Sequence, residues 1–172
     1  MPVLSIIACG MLEDELVHVL SRDHALKLLI VVENRDNIRF LRNLRSKNCT
    51  PKTIFLDKTP MLLKDERHPD SKMLLKFLSI FPSLKEMHEK RKLLEKKKLT
   101  VVVNLLKMGL HSYLELLKAE VHKNIREMAP FSDNILIFYG SCGHTLVKLE
   151  EDFADLGCKE YEFRCKRDHR VY

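Results

Sequence analysis

Residues 134–153 read NILIFYGSCGHTLVKLEEDF. The apolar run Ile135 to Phe138 ends on Tyr139-Gly140-Ser141-Cys142-Gly143, and an amphipathic stretch follows at once. A short run of branched and aromatic residues bounded by glycine predicts a buried strand. The spacing after it predicts a helix over 145–156. The opening of the chain repeats the pattern, with Val3 to Ala8 running into Cys9-Gly10 and then MLEDEL, residues 11–16. Strand, Cys-Gly turn and helix, met twice, describe βα units.

Working outward, apolar runs at 26–32 (LKLLIVV), 53–56 and 99–106 predict further strands, with a short sixth at 161–163. Leu12, Leu16, Val19 and Leu20 share one helical face, and a further helix is expected to run through Ile38, Leu41 and Leu44 behind Asp36 as a cap. Leu114, Leu117, Val121, Ile125 and Met128 mark a helix over 112–128, and two more are expected at 71–80 and 84–97, parted by Pro82. Residues 57–70 hold two prolines and mixed polarity, which predicts a loop or broken helix. Strands alternating with helices imply an α/β fold. The expected architecture is a mostly parallel sheet flanked by helices, a Rossmann-like three-layer sandwich. No linker divides residues 1–172, so a single domain is expected.

The 172 residues are 45% apolar and 31% charged, which suits a globular protein with a real core. No apolar run is long enough to span a bilayer, and no cleavable signal opens the chain, so a cytoplasmic protein is expected. Five cysteines, an odd number, argue for thiols rather than a disulfide scaffold. The absence of a CxxC pair excludes zinc-ribbon and thioredoxin motifs. Net charge is +6, with a dense basic run at 85–98, KEMHEKRKLLEKKK. Without a nucleic-acid module beside it, that run reads as a solvated helix face carrying Met87, Leu93 and Leu94 on its inner side. The sequence thus argues against nucleic acid and membranes as partners and is compatible with an oligomer.

Parallel strands bring their C-terminal ends to one edge, where such sheets bind ligands. Three chemically capable residues fall there: Cys9 after the first strand, His111 in MGLHS after the fourth, and Cys142 after the fifth. Gly10, Gly140 and Gly143 permit tight turns and close approach of backbone to a ligand. A thiol at a helix N-terminus meets the positive end of the dipole, which favours the thiolate that binds metal or attacks an electrophile. Two thiolates and an imidazole suit zinc or another transition metal with a fourth position open. The same set also suits a metal-free thiol enzyme, Cys142 with His111 as base, or a non-enzymatic binding module. Taken singly, a cysteine at a strand end is as readily a small buried hydrophobe. Glu13, in the first turn after Cys9, could serve as a supporting partner or base, and Tyr139 and His144 flank the second thiol as contact residues.

IACGMLEDEL, VVVNLLKMGLHSYLELL and ILIFYGSCGHTL together resemble a family with a domain of unknown function, found in methanogenic archaea and various bacteria. Its pattern is an N-terminal ACG, an LH after a middle strand and a YGxCG after a later one, matched here by Cys9-Gly10, Leu110-His111 and Tyr139 to Gly143. Members are often encoded beside corrinoid-dependent methylamine methyltransferases. The resemblance therefore implies one-carbon metabolism, with a corrinoid protein or methyltransferase as partner and corrinoid as an associated cofactor. The chain departs from the family at His144, where asparagine is usual. It also stops where members continue into a further cysteine-bearing segment, so a C-terminally shortened chain is expected.

Overall fold

A computed structural model of the protein describes residues 2–67, 98–139, 153 and 159–164. Six strands form one sheet: β1 (Val3–Cys9), β2 (Leu26–Val32), β3 (Lys52–Ile54), β4 (Leu99–Leu106), β5 (Asn134–Tyr139) and β6 (Lys159–Arg164). Their order across the sheet is β3-β2-β4-β1-β5-β6, and every neighbouring pair is parallel. The described helices are α1 (Glu13–Leu20), α2 (Ile38–Ser46), α3 (Thr59–Arg67) and α4 (Leu114–Met128). The α/β architecture expected from the alternating pattern is the one observed.

Both faces of the sheet are covered, which is why β1 and β4 are apolar almost throughout. On one face Ile6, Ala8, Leu29, Val31, Val101, Val103 and Leu105 pack with Leu12, Leu16 and Leu20 of the α1 segment and with Phe40 and Leu44 of α2. On the other, Val3, Ile7, Cys9, Ile30, Val102 and Leu106 pack with Leu63 of α3 and Leu117, Val121, Ile125 and Met128 of α4. The period-2 alternation of strand side chains divides β1 between the two cores, residue by residue.

Consecutive crossovers put α1 and α2 on one side and α3 and α4 on the other. β1 therefore leaves the sheet toward the α1 face, while its neighbour β4 leaves toward the α4 face. Opposite departures from adjacent parallel strands mark a switch point, and sheets of this kind ordinarily bind ligands in a crevice there. At the ends of β2 and β4 one side chain bridges the two exits and a second ties down the β2 exit. Asn34 Nδ2 donates to the Leu105 carbonyl at 2.8 Å while its Oδ1 accepts from Asp36 N–H at 3.0 Å. Asn37 Nδ2 donates to the Val32 carbonyl at 2.6 Å.

Several local expectations shift. Of the loop or broken helix expected over 57–70, residues 59–67 take the helical form: Pro60 stands at the start of α3, where its missing N–H and fixed φ suit the first turn. Asn34, not Asp36, caps the turn before α2, because its carbonyl oxygen accepts the Asp36 N–H. β3 covers Lys52–Ile54 rather than 53–56. A 3₁₀ turn, Leu110–Ser112, precedes α4, which starts two residues later than the apolar spacing indicated. The helices expected at 71–80 and 84–97 lie outside the described residues, as does 145–156 apart from Phe153.

Candidate functional site

The two turns that follow the central strands touch. A Cβ placed on Gly10 would stand 3.3 Å from the Leu106 carbonyl oxygen and 3.6 Å from Met108 N, so the β1 exit passes directly over the β4 exit. Strand register brings them there, since Cys9 lies opposite Leu106. On the other flank of β1, Ala8 lies opposite Phe138, so Tyr139 at the end of β5 leaves the sheet from the same edge. The β4 turn itself depends on Gly109, whose φ of +97° lies in the left-handed region that other residues reach only with strain.

Cys9 is 4% exposed, and its side chain is not where the helix-dipole reading expected it. A 3₁₀ turn, Gly10–Leu12, separates it from α1, and the thiol makes no side-chain cap to that turn. Because Ala8 faces α1, Cys9 one residue on must face α4. The thiol thus belongs to the α4 side of the sheet, although its backbone leads into α1. What it meets is the α4 core, which holds Tyr139 and against which Leu110 packs. Each of the three recognisable motifs (ACG, LH, YGxCG) therefore contributes a residue to one cluster.

His111 lies on the 3₁₀ turn between β4 and α4, next to Leu110. Cys142, Gly140, Gly143 and His144 lie outside the described residues. Among the described residues, no three His, Cys, Asp or Glu side chains gather closely enough to hold a metal.

Glu13 opens α1, where an acid beside the positive helix end is ordinarily exposed. Here it is 5% exposed, in a layer otherwise filled by Leu12, Leu16 and Val17. Arg39 Nε of α2 stands 2.6 Å from its Oε1, but no hydrogen bond reaches that oxygen. Desolvation by burial raises the Glu13 pKa, with Arg39 opposing and Asp14 adding to the rise. Arg39 also donates from Nη2 to Asp14 Oδ2 at 2.9 Å, and Asn43 donates to Asp14 Oδ1 at 3.1 Å. This network ties the first turn of α1 to α2.

A second buried polar group, this one inside the α4 core, is barely legible in the sequence. Asn104 of β4 donates to Asn124 Oδ1 of α4, and Asn124 donates in turn to the Glu120 carbonyl at 2.7 Å. Its one visible signal was an asparagine interrupting the apolar run TVVVNLL. Since Asn104 lies opposite Ile7, the pair faces the same side of the sheet as Cys9. It fixes α4 over β4 through satisfied buried polar groups.

Residues 105–166 match the model of a family described as a protein of unknown function, DUF1638. The matched span takes in the His111 turn and the Tyr139 to Gly143 motif, and Cys9 lies before it. No curated protein and no solved structure matches the chain. Among the described residues, no helix is long and apolar enough to cross a membrane.

Proposed function

We propose that the protein binds a transition metal, zinc first, through Cys9, His111 and Cys142 at the C-terminal edge of β4, β1 and β5. The observation that carries this reading is that Cys9 and Tyr139 belong to the apolar core on the α4 side of the sheet and Leu110 packs against it, one residue from each motif. Two sulfur donors and an imidazole are a chemically apt set for zinc, which commonly takes three protein ligands and keeps a fourth position for water or substrate. Such an ion would act as a Lewis acid on that fourth ligand. Gly140 and Gly143 would let backbone close on the ligand, and Tyr139 and His144 would line its approach, whereas Gly10 packs on Leu106 and Glu13 is paired with Arg39 on the α1 side. The proposed setting is corrinoid-dependent one-carbon or methylamine metabolism, with a corrinoid protein or methyltransferase as partner. It rests on the resemblance of the three motifs alone.

The test is metal content after anaerobic purification. The parent chain is expected to hold close to one equivalent, and Cys142→Ser and His111→Gln to lose it while staying folded. Equal metal in parent and variants would sink the proposal.

The burial of Cys9 favours a second reading, in which that thiol is a core residue and Cys142 acts as nucleophile with His111 as base. A metal-free parent whose Cys142 alkylates much faster than an ordinary thiol, and slows in His111→Gln, would select it.

A further inference from the structure

The outer face of α2 carries a row of arginines that the fold does not use. Residues 35–47 read RDNIRFLRNLRSK, five basic residues against one acid. Phe40 and Leu44 point into the core, so the opposite face looks to solvent. At about 100° per residue, Ile38, Arg42 and Arg45 fall on one stripe of that face, about 10 Å long. Arg35 stands in the turn that leads into it.

All three arginines are exposed, and among the described residues none is held by a hydrogen bond or an ion pair. Arg39 beside them is different, being committed to Glu13 and Asp14. Like charges three residues apart on a helix repel, so Arg39, Arg42 and Arg45 work against α2 rather than for it. Ile38, 75% exposed, sits within the same stripe.

We propose that this face of α2 docks an acidic, partly apolar surface of a partner protein. Arginine offers a planar fork of donors that matches carboxylates, and it is enriched among residues that dominate protein interfaces. Ile38 decides between occupants. A phosphate backbone has nothing apolar to cover it, whereas a protein face with carboxylates around an apolar residue covers both features at once. The inference is independent of any metal at the crevice.

The test uses the full chain and a labelled synthetic helical peptide with glutamates flanking a leucine stripe, beside a labelled single-stranded oligonucleotide of similar length. The peptide is expected to bind more tightly than the oligonucleotide, and increasingly weakly as salt is added. Combined Arg42→Glu and Arg45→Glu should weaken it roughly tenfold or more, and Ile38→Ser by about threefold. Peptide binding unchanged by the charge reversal overturns the proposal. So does tighter oligonucleotide binding that ignores Ile38→Ser, which marks a nucleic-acid surface. A parent dimer that the reversal dissolves in sedimentation also overturns it, because the occupant is then a second copy. Circular dichroism checks folding. Should the reversal unfold the chain, Arg42→Gln with Arg45→Gln carries the same comparison with a smaller expected loss.

Discussion

The β1 and β4 exits each contain a glycine beside a residue of interest, yet the two glycines do different work. Gly10 has an unremarkable backbone and no room, with the Leu106 carbonyl 3.3 Å from where a Cβ would sit. Gly109 has room on every side and a φ of +97°. One is there so that two strand exits can cross, the other so that a chain can reverse before α4. A glycine next to a candidate ligand is therefore not in itself a sign of ligand binding. At Gly10 the packed neighbour is the protein's own backbone.

Substitutions that exchange the two constraints would break or sharpen this contrast. The largest effect is expected for Gly10→Val, whose branched side chain must push apart Leu106 and Met108. Overpacking of this kind costs about 1–3 kcal/mol, read as a lower urea midpoint. Gly109→Ala should follow at about 1–2 kcal/mol, since the strain there is in the backbone alone. The order of replacements should also reverse between sites. Asparagine tolerates the left-handed region, so Gly109→Asn should be milder than Gly109→Ala, while Gly10→Asn should be worse than Gly10→Ala. Equal rankings at both positions would show that the crossing of the exits does not constrain Gly10.

The smallest effect concerns the α1 and α2 side of the crevice, and it is a change of slope rather than of level. Burial raises the Glu13 pKa above its ordinary value of 4.5, so the folded chain keeps this proton at a pH where the unfolded chain has lost it. Stability contributed by Glu13 is thus present below about pH 4.5 and lost as pH rises through the raised value. Glu13→Gln should flatten that part of the profile, measured as urea midpoints from about pH 4 to pH 7. A parent and variant with parallel profiles would mean that Arg39 already cancels the desolvation.

Much of the fold was readable before any coordinates. β1 and β4 are buried on both faces almost throughout, and β2 and β5 over their C-terminal parts, which leaves near-continuous apolar runs rich in branched residues. β3 was less legible because its three residues are mostly exposed and its pairing with β2 is short. The α3 segment stayed open between loop and broken helix because its prolines weigh as breakers, although at a helix start proline is favourable. Asn34 and Asn37 carry no local mark of what they do. Asn34 bridges the ends of β2 and β4, which depends on a residue 71 positions away, and Asn37 ties down the β2 exit by bonding the Val32 carbonyl.

The sequence by itself determined the strands, the alternation with helices and the residues capable of chemistry, because these follow from local pattern and residue type. Tertiary structure alone decided the order β3-β2-β4-β1-β5-β6, since pairing between distant segments leaves no local trace. It also decided that the Cys9 side chain belongs to the α4 core and not to its own helix. Sequence proximity to α1 argued for the reverse. The pleat overrides it: with Ala8 committed to α1, the next side chain must leave by the other face.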